Sequence, residues 1–160
     1  MNKKAKDIPL SGKQLHDMIL EMEERPNIIE SKKITSSSTV KDIFGDSGHA
    51  IIFHSHGPQS KVGHWLSIVR NYDGDVYFHD SLGESPDKYN KNIAKTILKE
   101  YPKLYYNDIA FQKDDTSTCG RHSVLVCALN KMKYKPHQIE QVFKEMKNPD
   151  DFVLELVKKN

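Results

Sequence analysis

Four positions carry residue types that act together in covalent catalysis: His64, Asp80, Gln112 and Cys119. Cys119 follows the polar stretch 113–118 and stands where a helix is expected to begin. Free backbone N–H groups and partial positive charge at a helix N-terminus favour thiolate over thiol. Thiolate is the nucleophilic form. Gly120 has no side chain to obstruct a carbonyl approaching the sulfur, which makes it a candidate substrate-binding position. His64 sits where a loop becomes a strand, and imidazole has the near-neutral pKa and paired ring nitrogens that a general base needs. Asp80 ends the partner strand of the same hairpin. A carboxylate there would accept Nδ1–H of His64, fix its tautomer and stabilise the imidazolium. Gln112 precedes Cys119 by a short loop, and its amide N–H could join the Cys119 backbone N–H in an oxyanion hole.

Taken singly, each residue has a plainer explanation. A Cys-Gly pair at a helix start is usually packing, a strand-end Asp is a turn residue, a glutamine is surface, and His64 is one of eight histidines. Their order and complementary chemistry join them. Together they predict attack of a Cys119 thiolate on a peptide carbonyl, with His64 as base, Asp80 as orienting acid and Gln112 as oxyanion donor.

The elements that must position these groups follow from periodicity. Ser11 to Gln14 reads as a capping box, with Leu15, Met18, Ile19 and Met22 on one helical face and Pro26 ending the helix. Residues 27–48 read as irregular. Ala50 to His54 is a short strand, and 56–63 a loop. Trp65–Arg70 and Val76–His79 are strands joined across Asp73-Gly74, a strong hairpin signal. Around that turn, the start of the first strand lies beside the end of the second, so His64 and Asp80 are expected to be neighbours, with Trp65 on the opposite face. Ser85-Pro86 opens a helix that ends near Tyr101. Leu104 to Phe111 reads as one or two strands, Cys119 to Met132 as a buried helix, and Pro136 to Met146 and the segment from Asn148 as further helices. The expected fold is α+β: a small, mainly antiparallel central sheet packed between helices.

Composition narrows the class. With 160 residues, 37% hydrophobic and 29% charged, the chain suits a single peptidase domain over 1–160, with 1–10 as a flexible tail. Its apolar runs are far shorter than the ~20 residues of a membrane span, and no apolar segment follows the basic N-terminus, so secretion is not expected. A net charge of +2 is too small to imply nucleic-acid binding, and the basic clusters at 1–6, 131–135 and 158–159 read as solvated surface. Cys119 and Cys127, on one helix, would be about 12 Å apart, beyond disulfide reach. His54 and His56, with His49 near, are the competing metal constellation. No nearby Asp, Glu or Cys completes a convincing set, and Asp46 and His64 would have to fold in, so no metal or cofactor is expected.

Gly63-His64-Trp65-Leu66, Tyr77-Phe78-His79-Asp80-Ser81-Leu82-Gly83, Phe111-Gln112 and Thr118-Cys119-Gly120 together resemble the adenovirus-type (adenain-like) maturation proteases. The wider group includes the SUMO-specific proteases and cysteine proteases of virophages and related DNA viruses. The resemblance covers roughly 48–130; papain-type enzymes, with cysteine before histidine, match less well. It implies nucleophile Cys119, base His64, acid Asp80 and oxyanion donor Gln112, with Trp65 walling the substrate cleft. It also implies a virion and host-cytoplasm setting, and processing of capsid or core precursors at small Gly-containing motifs by a monomer. Activation through a disulfide-linked peptide does not carry over, because Cys127 is expected to be buried. Alternatives on the same triad are removal of ubiquitin or SUMO, and effector-type acyl transfer; a binding module in which these residues are fortuitous is the non-enzymatic one.

Overall fold

The computed structural model describes residues 25–55, 63–71, 73–111 and 119–145. The tail 1–10, the helix expected from Ser11, Gln112 with the polar stretch after it, most of the 56–63 loop and the helix expected from Asn148 lie outside the described residues.

Five strands form one sheet in chain order: β1 (Asn27–Glu30), β2 (His49–Ser55), β3 (Gly63–Arg70), β4 (Val76–His79) and β5 (Leu104–Tyr106). The class is α+β, as expected, but the sheet is evenly mixed. β2–β3 and β3–β4 are antiparallel, whereas β1–β2 and β4–β5 are parallel. Both parallel pairs come from connections that carry helices. Between β1 and β2 lie a 3₁₀ turn (Ser31–Lys33) and helix α1 (Val40–Phe44); between β4 and β5 lie α2 (Pro86–Tyr89) and α3 (Lys91–Leu98).

Residues 27–48 are therefore structured, contrary to the sequence expectation. Asn27-Ile28-Ile29-Glu30 is too short to establish a period. Helix α1 does carry a local signal: Thr39 accepts from the Asp42 N–H, and the Asp42 carboxylate accepts from the Thr39 N–H. The expected single helix from Pro86 is broken at Asn90, which adopts an extended conformation and caps α3 by accepting from Asn92 N–H. Its amide donates to the carbonyls of Ser31 and Ile34, tying the break to the 3₁₀ turn. Only Leu104–Tyr106 of the expected 104–111 strand region is strand.

Alternation along the strands loads both faces of the sheet. Ile51, Val69 and Tyr77 pack on one face against helices α4 (Cys119–Lys131) and α5 (Pro136–Glu145), through Leu125, Val126, Cys127, Ile139 and Phe143. Ala50, Ile52, Leu66, Ile68 and Phe78 pack on the other against Ile43 and Phe44 of α1 and Ile93 and Ile97 of α3. Each such buried Ile or Phe contributes about 1.5–3 kcal/mol. The two faces make a three-layer arrangement, with β3 at the sheet centre and its Gly63 end running beyond the end of β4. His64, Asp80 and Cys119 gather at that end.

The β3–β4 turn is closed by Asn71, whose side-chain oxygen accepts from the Asp73 and Asp75 N–H groups at 3.0 Å each. Gly74 supplies the positive φ of +87°. Register runs from Arg70↔Val76 to Ser67↔His79.

Candidate active site

His64 and Asp80 are brought together, though diagonally. Continuing the β3–β4 register places Asp80 opposite Leu66, with His64 two residues further along the same face. A diagonal pair is ~7–8 Å apart at the backbone, and the imidazole spans that gap: His64 Nε2 donates to Asp80 Oδ1 at 2.6 Å. The nitrogen engaged is Nε2, where Nδ1 was expected. The ring reaches Asp80 with its far edge, because the carboxylate lies along the strand and not directly across from it. Nδ1 is thereby left for the thiol.

Cys119 opens α4, as the sequence indicated, and is almost wholly buried. Its sulfur accepts the Trp65 backbone N–H at 3.4 Å and lies near enough to His64 to favour the charged imidazole. Because strand residues alternate, His64 projects to the α1/α3 side of the sheet while Trp65 packs on the α4 side. Cys119 therefore meets the strand edge-on, at the peptide between them. Trp65 stacks at a tilt on Phe53, with centroids 4.7 Å apart. Phe53 in turn lies over Gly63, where a Cβ would come within 2.0 Å of its ring. Gly120 is buried behind Cys119. Cys119 and Cys127 are both free thiols. Among the described residues no group of three or more His, Cys, Asp or Glu side chains is placed to hold a metal.

Asp80 is fully buried and heavily bonded. Its carboxylate accepts from His64, from the Leu82 and Glu84 N–H groups at 3.1 and 3.0 Å, and from Tyr89 Oη at 2.6 Å. Its backbone is clamped by Asn107, which accepts the Asp80 N–H at 3.0 Å and donates to its carbonyl at 2.6 Å. Burial alone would raise this carboxyl, but the His64 and Tyr89 hydrogen bonds and the backbone donors hold it below the usual range. For His64, burial works against the imidazolium. The hydrogen bond to Asp80, with the electrostatic influence of Asp80 and the nearby Cys119, outweighs it and pushes the group up to about 9. Asp80 and the sulfur thus act together to hold an imidazolium between them. His79, next to Asp80 in sequence, faces the other way, with its Nδ1 2.9 Å from Tyr77 Oη. Burial and nearby His122 bring it down to about 3, so it is neutral and takes no part in the pair.

Sequence reasoning missed Tyr89 and Asn107. In the sequence, Tyr89 is simply one apolar position of the helix that Ser85-Pro86 opens. Its hydroxyl instead serves Asp80, and its ring stacks on His64 with centroids 5.7 Å apart. A usable signal was Asp80-Ser-Leu-Gly83: the Gly83 N–H donates to the Asp80 carbonyl at 2.9 Å, and Gly83 has φ +78°. A Cβ at Gly83 would also stand 2.7 Å from the Ala110 backbone nitrogen. Gly83→Ala is expected to cost about 2–4 kcal/mol, from left-handed strain plus backbone overlap. Urea unfolding checks this; an unchanged midpoint would mean that the turn relaxes freely. Tyr89→Phe removes a donor to a buried carboxylate. We expect a loss of about 1–2 kcal/mol of stability and about a tenfold slower reaction of Cys119 with iodoacetamide. The carboxylate's contribution to stability is lost as pH falls through its folded pKa. Without the tyrosine that pKa rises, so acid unfolding of the variant should begin at higher pH.

No protein-family model matches the sequence. The chain aligns with uncharacterized protein V9 of Sputnik virophage at 30% identity over 125 residues, covering 67% of this chain and 70% of that protein. This chain belongs to the V9 family. A second alignment, 28% identical over 99 residues, covers 61% of the chain and matches the ubiquitinating enzyme SidE of Legionella pneumophila. There the chain spans only 7% of the relative's length. Among solved structures, the central domain of the uncharacterized Lpg1148 protein from Legionella pneumophila superposes with a TM-score of 0.47 and 12% identity, over 90% of this chain and 92% of that one. The V9 family thus includes a protein of a virophage. No helix among the described residues of this member is long and apolar enough to cross a membrane.

Proposed function

We propose that this chain is a cysteine endopeptidase of the adenain-like type, acting on viral precursor proteins. The observation that carries the reading is the set Cys119–His64–Asp80, a thiol at a helix start close to an imidazole whose Nε2 is held by a buried carboxylate. In the mechanism, the Cys119 thiolate attacks the scissile carbonyl carbon and the electron pair moves to oxygen. The resulting oxyanion is held by the Cys119 backbone N–H at the open end of α4, with Gln112 as the second donor. The His64 imidazolium protonates the leaving amine as the C–N bond breaks, which leaves an acyl-enzyme. Neutral His64 then takes a proton from water, whose oxygen attacks the thioester and releases Cys119. Trp65 and Gly120 line the approach. Every step uses the chain's own groups, without metal or cofactor.

The viral setting is supported by the V9 relationship. On this reading the enzyme works as a monomer in the virion and host cytoplasm on capsid or core precursors cut at small Gly-containing motifs. Mass-spectrometric mapping of new termini in proteins encoded beside it, with wild-type enzyme and with Cys119→Ala, tests this directly. Termini that appear with both would end it.

A second reading keeps the site and changes the substrate to a ubiquitin-like conjugate. The match to a segment of a ubiquitinating enzyme favours it. Fluorogenic Gly-Gly peptides set against ubiquitin and SUMO conjugates separate the two: a preference above a hundredfold for a folded conjugate selects the second.

A further inference from the structure

A cavity of about 610 Å³ lies where the β3–β4 hairpin meets the end of α4, walled in part by Arg70, Tyr101, Lys131, Lys133 and Lys135. Arg70 ends β3 and His64 stands near its start, so the cavity is about 20 Å along the strand from the imidazole. In sequence, 131–135 is a solvated basic run. The fold changes its meaning by bringing Arg70 to it from about 60 residues away. Asp73 is the one carboxylate among the described lining residues. It faces Lys135 at 4.0 Å with both side chains more than half exposed, a geometry that neutralises little.

Two features mark the cavity as more than a basic surface. The first is that Arg70 is fixed in place. Its guanidinium donates to Tyr101 Oη at 3.2 Å and to the Ser47 carbonyl at 3.1 Å, and lies 4.6 Å from the centre of the Phe44 ring. These partners are neutral, and among the described residues no carboxylate pairs with Arg70. The Asn130 amide donates to the Arg70 carbonyl at 3.1 Å, which holds the end of α4 against the strand. The second feature is Lys133. The Tyr134 N–H donates to the Leu129 carbonyl and the Lys133 N–H to the Asn130 carbonyl, the paired bonds of a Schellman helix end. That motif puts one residue in the left-handed region, usually glycine. Here it is Lys133, at φ +71°, the one non-glycine residue with positive φ among the described residues. A side chain is strained there, and glycine would close the helix without that strain. The attraction of cations to a helix C-terminus accounts for Lys131 in the last turn. It does not call for a lysine in a left-handed conformation. Strain kept at one position on a cavity wall points to a function for the side chain.

We propose that this cavity binds a small oligophosphate, either a free inorganic chain or the phosphate chain of a nucleotide. The lysines supply mobile point charges, and the fixed guanidinium of Arg70 supplies directed N–H groups for phosphate oxygens. The volume suits a small ligand and not a polymer strand. The site is separate from the Cys119 chemistry, and its test involves no cleavage, so it stands or falls independently of the peptidase reading.

Isothermal titration calorimetry of the full chain in metal-free buffer, with sodium triphosphate, ATP and orthophosphate, tests the site. Triphosphate should bind at least about tenfold more tightly than orthophosphate, because a longer chain meets more of the cations. Equal affinity for ATP and triphosphate assigns the phosphate chain alone as the ligand, and tighter binding of ATP assigns a nucleotide. Lys133→Gly and Lys135→Ala should each weaken triphosphate binding at least about fivefold. Lys133→Gly should at the same time raise the urea midpoint, because glycine fits the left-handed position, so its loss of affinity is not a loss of folding. Lys95→Ala removes an exposed cation on α3 outside the cavity and should leave the affinity within about twofold. Absence of triphosphate binding, or binding that Lys133→Gly and Lys135→Ala weaken no more than Lys95→Ala does, overturns the site. A duplex oligonucleotide that binds at least about tenfold more tightly than triphosphate overturns the small-ligand assignment and makes the patch a nucleic-acid contact.

Discussion

Cys119→Ala is expected to abolish the proposed proteolysis, with a loss of at least about 10⁴-fold, because the proposed nucleophile has no substitute within the site. The fold is expected to survive. The sulfur meets the Trp65 N–H and lies beside the His64 ring, at the sheet end and away from the apolar centres of both faces. Truncation to alanine should therefore change stability by no more than about 1 kcal/mol. Cys119→Ser is the sharper variant. Its hydroxyl can still accept from Trp65, but it does not ionise to pair with the imidazolium, so it too should be inactive. Cys127 is the internal control. It is fully buried among the α4–α5 contacts and should label with iodoacetamide at least a hundredfold more slowly than Cys119 at pH 7. Equal, slow labelling of both thiols would show that Cys119 is merely packed, and the catalytic assignment would fall.

The parts of this site legible in the sequence depend on local rules, and the parts that were not depend on packing. Asp73-Gly74 fixes the hairpin, and with it the proximity of His64 and Asp80. A helix beginning at Cys119 follows from the apolar run after Gly120. These are short-range statements that chain chemistry can carry. Which imidazole nitrogen faces Asp80 depends on a diagonal offset set by the length of β4, and composition does not encode that. The service of Tyr89 to Asp80 depends on a helix break at Asn90, which is held by carbonyls about 60 residues away in sequence. Asn107 gives no sign of its role because its partner, the Asp80 backbone, is 27 residues distant. The strand Asn27–Glu30 falls in the same class: β1 exists by pairing with β2, and an isolated four-residue run has no period to read.

The pH dependence tests the linkage between these groups. His64 is held up to about 9 because Asp80 and the Cys119 sulfur outweigh the burial that opposes its charge. Protonating the leaving amine requires the imidazolium, so kcat/KM should fall as pH rises through about 9, well above the ordinary 6.5 of histidine. Stability follows the same sign. The contribution from this raised pKa is fully present below 6.5 and is lost as pH rises through about 9. In Asp80→Asn the largest of the supports is gone and burial remains, so the pKa of His64 must drop. The alkaline limb should move from about 9 toward 6.5 or lower, and kcat should fall by about 10²–10⁴-fold as tautomer control is lost. The shift of the limb separates this explanation from simple loosening of the fold, which would lower the rate at all pH values and leave the profile in place. An Asp80→Asn enzyme with a slower rate but an unmoved alkaline limb would show that the carboxylate positions the ring without supporting its charge.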